Sequence, residues 1–237
     1  MPLIRLDKYL SDALGLSRRE AKALLGTGHV LLDGRAATRG DEKLDPLRDT
    51  VALDGRVLSV PEKLYLMLNK PAGVLTATTD SRQPTVLDLL SVEYRRKRLF
   101  PVGRLDRDTT GLLLLTDDGD FAHRIISPKS RVPKLYEAEV SGTLGEEDVR
   151  AFTDGLTLSD GTRCLPAELT LLGGDTVRVE VCEGRYHQVK RMLASRGAPV
   201  RALRRLRIGG LWLDTTLMAG EHKILSDAER DSALYTK

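Results

Sequence analysis

Apolar positions in the first 58 residues follow a helical period and then a strand period. Leu6, Tyr9, Leu10, Ala13 and Leu14 recur three and four residues apart, and Gly15 stops the run. A second helix is predicted from Ser17, where Glu20 completes a capping box that satisfies two otherwise orphaned amide donors. Its apolar face is Ala21, Leu24 and Leu25, leaving Arg18, Arg19 and Lys22 on other faces. Residues 30–32 and 51–53 then read as short strands, each turning at an Asp-Gly pair, Asp33-Gly34 and Asp54-Gly55. That dipeptide supplies the positive φ angles of a tight hairpin. The near repeat of VLLDGR and VALDGR reflects turn chemistry, not a solenoid period.

A linker is predicted over 59–63, where Pro61 and small residues separate the last hairpin from the next strand. Beyond it, strand-like runs at 65–68, 111–116, 135–140, 177–182 and 200–208 alternate with helix-like runs at 86–90, 118–126, 146–154 and 188–196. The connections are too short for repeated right-handed crossovers, which favours an α+β architecture with a mainly antiparallel sheet. The expected organisation is a compact unit over 1–58, the linker, and a larger unit over 64–237.

Composition sets the limits. The chain has 237 residues, 41% of them apolar, enough to supply a core without disulfide or metal staples. Charged residues make up 30% but the net charge is only +3, so no diffuse cationic character announces a polyanion partner. The distribution changes the picture. From Arg185 to Arg207 the chain carries Arg185, Lys190, Arg191, Arg196, Arg201, Arg204, Arg205 and Arg207 with no acid among them, a phosphate-sized footprint. Cys164 and Cys182 lack metal spacing and are expected to be reduced and structural. The four histidines form no H-x-x-x-H pair, and no apolar run approaches the roughly 20 residues of a membrane span. A soluble cytoplasmic protein with no metal and no membrane partner is expected.

The candidate chemistry lies in FPVGRLDRDTTGLLLLTDDGDFAHRII, residues 100–126. Asp106 sits between Arg104 and Arg107 in a loop that runs into a strand, where a reactive carboxylate would be presented rigidly. Gly103 permits a left-handed turn before it, and Asp108, Thr109 and Thr110 can hydrogen-bond the loop's own amides. On the residues alone, an ordinary turn with a solvated Asp–Arg pair stands equally.

GRLDRDTTGLLLLTDDG, with HRIISP after it, Lys134-Leu135-Tyr136, and GRYHQVKRM from Gly184 to Met192 together resemble the pseudouridine synthases that act on ribosomal RNA. Within them, Asp108-Thr109-Thr110, the segment TDDG and Tyr186-His187 resemble the ribosomal small-subunit pseudouridine synthase A family. RLDKYLSDALGLSRREAKALLGTGHVLLDGR resembles the S4 domain, a small RNA-binding module of α-L type. The resemblance implies a small S4 domain followed by a synthase domain, whose mainly antiparallel mixed sheet is flanked by helices and crossed by the active-site cleft.

It also implies roles. Asp106 becomes the essential carboxylate, acting either as nucleophile at the sugar or as base at the adjacent ribose carbon. Tyr136 becomes the active-site tyrosine that stacks on uracil, although on the residues alone a tyrosine opening a strand reads as core. Lys190 takes the position where the wider superfamily has an arginine paired with the aspartate, and a lysine offers charge without the planar fork. Leu193 becomes the apolar residue on the other side of the base. Arg104, Arg107 and Arg185 become substrate-binding residues. Arg5, Lys8, Arg18, Arg19, Lys22, Arg191, Arg204 and Arg205 become RNA contacts. Asn69-Lys70-Pro71 matches a further family segment with no role assigned.

The implied reaction converts a uridine of small-subunit (16S) ribosomal RNA to pseudouridine by cutting the bond from N1 to the ribose, rotating the base and rejoining it through C5. This is redox-neutral, so no cofactor is expected, and the implied partner is ribosomal RNA bound by a monomer. Two other readings compete: a large-subunit (23S) synthase of the same family, and a non-catalytic S4-type assembly factor. The second gives no reason for Asp106 and Tyr136 to fall in register with both catalytic motifs.

Overall fold

The structure, a computed structural model, describes residues 3–60, 62–95 and 97–236. Its contacts divide the chain into two compact units, Met1–Glu62 and Lys63–Lys237. Pro61, on which the sequence centres the linker, lies outside the described residues.

In the smaller unit the helices Leu6–Leu14 and Arg18–Leu25 form as the periodicity predicts. Gly15 ends the first in the left-handed region, and the capping box is complete. Glu20 N donates to Ser17 Oγ at 3.2 Å, and Ser17 N donates to Glu20 Oε2 at 2.7 Å. Both Asp-Gly pairs turn hairpins, with Asp33 and Asp54 at φ near +50° ahead of Gly34 and Gly55. A four-stranded antiparallel sheet results, in the order Arg35–Ala36, Val30–Leu32, Val51–Leu53, Arg56–Val57. Leu6, Leu10, Ala21, Leu25, Val30, Leu44 and Val51 are fully buried between helices and sheet.

The larger unit is built on one nine-stranded sheet. Seven strands run across it in the order Glu168–Gly173, Thr176–Val181, Lys134–Val140, Val200–Ile208, Thr110–Thr116, Tyr65–Lys70, His222–Ile224. Every pairing along this path is antiparallel except Val200–Ile208 with Thr110–Thr116. At that parallel junction Gly111, φ +97°, lies opposite Arg205, and a Cβ there would meet the Arg205 carbonyl oxygen at 2.3 Å. Only glycine lets the two strands approach so closely.

The unbroken leucine run of this sheet has a geometric reason. Leu112 and Leu114 pack with Met67 under the helix Gly119–Ile126, while Leu113 and Leu115 pack with Leu66 and Leu68 on the opposite face. A strand covered on both faces buries every residue, so alternation disappears from its sequence. A third core, against the helices Glu146–Asp154 and Gln188–Ser195, covers the far end of the sheet. Among the described residues no helix is long and apolar enough to cross a membrane.

One predicted helix is absent. Residues 86–90 form turns, because the Asp88 carboxylate accepts from both the amide and the hydroxyl of Thr85, at 2.7 and 2.9 Å. Such a local bond offers the backbone an alternative to the helix. A single helical turn follows instead at Val92–Arg95.

Candidate active site

A cavity of about 610 Å³ opens in the larger unit, lined by the Asp106 loop, by Lys134 and Tyr136, by the segment from Glu183 to Val189, and by Leu203 and Arg205. It falls within the size range of small-molecule sites. The chain reaches Asp106, a quarter exposed, through Gly103, whose φ of +75° makes the expected left-handed turn.

The loop is held differently from the sequence expectation. Its own hydroxyls do little. Thr110 Oγ1 turns to the Leu203 carbonyl oxygen at 3.4 Å, and the buried Thr109 hydroxyl meets no hydrogen-bond partner. The grip comes from outside. Lys70, fully buried, donates from Nζ to the carbonyl oxygens of Pro71, Asp106, Arg107 and Thr109 at 3.0–3.1 Å. Three ammonium hydrogens shared among four carbonyls fix the turn as a bound cation would. Burial pushes Lys70 down to about 8, opposed by the charges of Asp108 and Asp106. Thr76 adds a reciprocal pair with Leu105, donating from Oγ1 to its oxygen at 2.7 Å and accepting from its amide at 3.2 Å.

Two cationic or hydrogen-donating groups face the Asp106 carboxylate. Lys190 Nζ lies 3.3 Å from Oδ2, and His187 Nε2 lies 3.3 Å from Oδ1. Lys190 is shared, because its shorter contact, 2.6 Å, is to Asp108. Burial alone would lower Lys190, but hydrogen bonds to Asp108 and Asp106 hold it above its ordinary value, and the same ammonium lowers Asp108. His187 caps the helix Gln188–Ser195 in the left-handed region, φ +48°, and its ring stacks on the exposed Tyr186 at 3.8 Å. A non-glycine residue held there is the kind of strain that clusters at functional sites.

Tyr136 lines the cavity beside Arg205, its partner across the sheet, whose Nη1 donates to the tyrosine oxygen at 3.4 Å. Arg104, Arg107 and Arg185 also line the cavity, Arg185 tied to Glu183 at 2.9 Å.

Two site expectations need correction. Leu193 is fully buried and faces the core, not the cavity. It packs with Val179, Met192 and Ala198, and the apolar wall is formed instead by Val189, one turn earlier, and by Leu203. Arg205 is not a surface RNA contact. Only 4% exposed, it donates from Nε to the Leu112 carbonyl oxygen at 2.8 Å and stands at the cavity's inner wall.

Most of the cations in the acid-free stretch from Arg185 to Arg207 meet acids from other elements. Arg191 meets Asp160 and Arg196 meets Asp148, each at 2.6 Å, while Arg201 pairs with Asp175 and Arg207 with Glu180. Arg204 is exposed, as an RNA contact requires. In the smaller unit Arg5, Arg18 and Lys22 converge on one carboxylate, Asp7, at 2.8, 3.3 and 3.9 Å. Asp7 is 1% exposed and held low by its bond to Arg5, so three exposed cations share a single buried acid. Arg19 is exposed and Lys8 half-buried. Cys164 and Cys182 are free, the first buried and the second half-buried. Among the described residues no cluster of three His, Cys, Asp or Glu side chains is arranged to hold a metal.

Comparison with known proteins fits this geometry. Residues 64–195 match the family model of the RNA pseudouridylate synthases, and residues 4–47 match that of the S4 domain. A relative in Vibrio parahaemolyticus named ribosomal small subunit pseudouridine synthase A is 41% identical, covering 97% of this chain and 99% of its own. The protein of that name from Escherichia coli K12 is 40% identical over 95% and 98%. An uncharacterized RNA pseudouridine synthase of Bacillus subtilis is 42% identical over 95% and 96%. A crystal structure of a pseudouridylate synthase aligns with a TM-score of 0.70 at 35% identity, over 97% of this chain and 99% of that one. The chain therefore belongs to the RNA pseudouridylate synthase family, in its ribosomal small subunit synthase A branch with an S4 domain, and is an isomerase by that membership.

Proposed function

We propose that this enzyme isomerises a uridine of small-subunit ribosomal RNA, with Asp106 as the carboxylate that acts at the sugar. The observation that carries the assignment is the Asp106 carboxylate in a 610 Å³ cavity with Lys190 and His187 each at 3.3 Å. Attack on the anomeric carbon and removal of a proton from the neighbouring ribose carbon both need a carboxylate, and a cation beside it completes an ion pair. Lys190 supplies this charge. Tyr136 offers a ring for stacking against the flipped base and a hydroxyl at the reacting face. Arg104, Arg107 and Arg185 take the flanking phosphates at the mouth.

The smaller unit docks the RNA through Arg5, Lys8, Arg18, Arg19 and Lys22, joined on the synthase unit by Arg204. Docking raises the local concentration of substrate at the second site. The names of the relatives favour small-subunit RNA as substrate. The test is a map of pseudouridines in ribosomal RNA from cells with and without the gene. Loss of one position from small-subunit RNA is expected. A position lost from large-subunit RNA would support the alternative target, and an unchanged map would overturn the assignment.

A further inference from the structure

The inner wall of the cavity carries more positive charge than the carboxylate chemistry uses. Lys134 and Arg205, 8% and 4% exposed, both line it, and both flank Tyr136: Lys134 two residues before it on the same strand face, Arg205 opposite it on the next strand. Neither has a carboxylate partner among the described residues. Lys134 Nζ donates to the Ile125 carbonyl oxygen at 3.1 Å, and an ammonium has two hydrogens more to give. Arg205 spends Nε on Leu112 and Nη1 on Tyr136, and its buried Nη2 has no hydrogen-bond partner. Burial lowers Lys134 to about 8 and the neighbouring Arg205 charge adds to this. Two adjacent buried cations without counterions are costly in a folded protein unless an anion arrives to meet them.

The reaction itself produces such an anion, on the reading of the Asp106 site given above. By either route at the sugar, the electron pair of the N1–C1′ bond leaves with the base. The detached uracil then carries a negative charge spread over N1, O2 and O4 until C5 uses that electron pair to bond to C1′; the adduct then loses its C5 proton to solvent and N1 takes one up, so the isomerisation is neutral overall. We propose that Lys134 and Arg205 bind the detached uracil anion, donating to its carbonyl oxygens and stabilising the charge that develops as the glycosidic bond breaks. A backbone phosphate is the other anion of an RNA substrate, but phosphates stay at the mouth, where Arg104 and Arg107 are exposed, whereas these two groups lie beside the ring of Tyr136. Fixed charges aimed at developing charge in a water-poor pocket act on the transition state more than on the bound substrate.

The test compares wild-type full chain with Lys134→Met, Lys134→Arg and Arg205→Met in single-turnover reactions on ribosomal RNA transcribed with uridine or with 5-fluorouridine, whose base accepts negative charge more readily. Glycosidic cleavage is read by disappearance of the parent nucleoside from digests of the RNA, since C5 of 5-fluorouridine has no proton to lose and cannot complete the rearrangement. Loss of either cation is expected to slow uridine by about a hundredfold, as removal of one oxyanion donor does. The defect should shrink by about tenfold with 5-fluorouridine, because a better leaving group needs less help, and Lys134→Arg should recover most of the rate. RNA affinity and its salt dependence should be unchanged. An equal defect on both bases, or a defect in affinity with a lowered salt slope, would overturn the proposal and point to packing or to phosphate binding respectively. If Lys134→Met does not fold, the same comparison with Arg205→Met and Lys134→Arg decides. No product from wild type on any ribosomal RNA would overturn the reading of the Asp106 site itself, and this inference with it.

Discussion

The ammonium group of Lys70 donates to the backbone oxygen of Asp106 at 3.1 Å, so the most deeply buried lysine among the described residues holds the main chain of the candidate catalytic acid. The bond is to the backbone, not to the carboxylate. Lys70→Met should take one donor from each of four carbonyl oxygens, of which Asp106 O and Arg107 O keep the amides of Thr109 and Gly73, costing about 3 kcal/mol of stability. A loop displaced by an ångström should also cost about a hundredfold in turnover. Urea unfolding and single-turnover rates at saturating RNA measure the two effects. A fully active, equally stable variant would remove Lys70 from this role.

A pH dependence follows from burial. Lys70 and Lys134 are both lowered to about 8, whereas each titrates near 10.4 in an unfolded chain. Between those values the unfolded state binds more protons, so the contribution of these lysines to stability rises with pH; below about 8 both states are protonated and it is flat. The unfolding free energy of wild type minus that of Lys134→Met should therefore grow by about 1 to 2 kcal/mol between pH 7.5 and 9.5. A difference that falls over this interval would contradict the burial argument.

Lys190 divides its charge between Asp106 and Asp108, and the two carboxylates should matter unequally. Lys190→Met should lower the single-turnover rate by about a hundredfold, because Asp106 is deprived of its cation, whereas Asp108→Asn should cost less than about tenfold. Lys190→Arg should keep a substantial rate, since charge and not a two-point clamp is what the lysine supplies. Equal losses in the first two variants would mean that the Asp108 contact, not the Asp106 contact, is the functional one.

Tyr136→Phe keeps the ring and removes the hydroxyl that accepts from Arg205. The tyrosine is half-buried and its hydroxyl makes one long bond, so stability should change by less than about 1 kcal/mol. The rate should fall by about tenfold or more, as general acid–base contributions do. Thermal midpoints and single-turnover rates decide. A destabilised but fully active protein would make Tyr136 a core residue.

Phosphate binding by the smaller unit is read from salt dependence. Arg18→Ala with Arg19→Ala should reduce the log-log salt slope of RNA binding by about one unit, or somewhat less, for each phosphate no longer neutralised. Arg19 is exposed and Arg18 more than half exposed, so stability should stay near that of wild type. An unchanged slope would leave this helix without an RNA role.

Much of this architecture is legible in the sequence because the signals are local. Helical spacing, the Ser17–Glu20 capping box, both Asp-Gly hairpins and the Gly103–Asp106 turn each depend on a few consecutive residues. What the sequence hides depends on partners far along the chain. Lys70 carries no role in the sequence until strand pairing brings Asp106 and Thr109 over it, 36 and 39 residues on. The cationic stretch reads as a phosphate footprint because Asp148, Asp160, Asp175 and Glu180, which pair with four of its arginines, lie on other elements. Leu193 and Val189 share a helical face, so periodicity does not say which one meets the cavity. The strand Glu168–Gly173 leaves little trace because several of its residues are exposed and it ends at Gly173, with Gly174 following. His187 is visible only as part of a motif, since nothing local marks its left-handed backbone or its approach to Asp106.

The central claim is that Asp106 does the chemistry, and Asp106→Asn tests it most directly. The amide keeps the shape of the side chain and lacks both the nucleophilicity and the basicity of the acid. The measurement is tritium release from ribosomal RNA labelled at C5 of uridine, run beside a binding titration and a thermal melt. The account predicts no detectable release, with RNA affinity and melting close to wild type. Substantial release by the folded variant would contradict it.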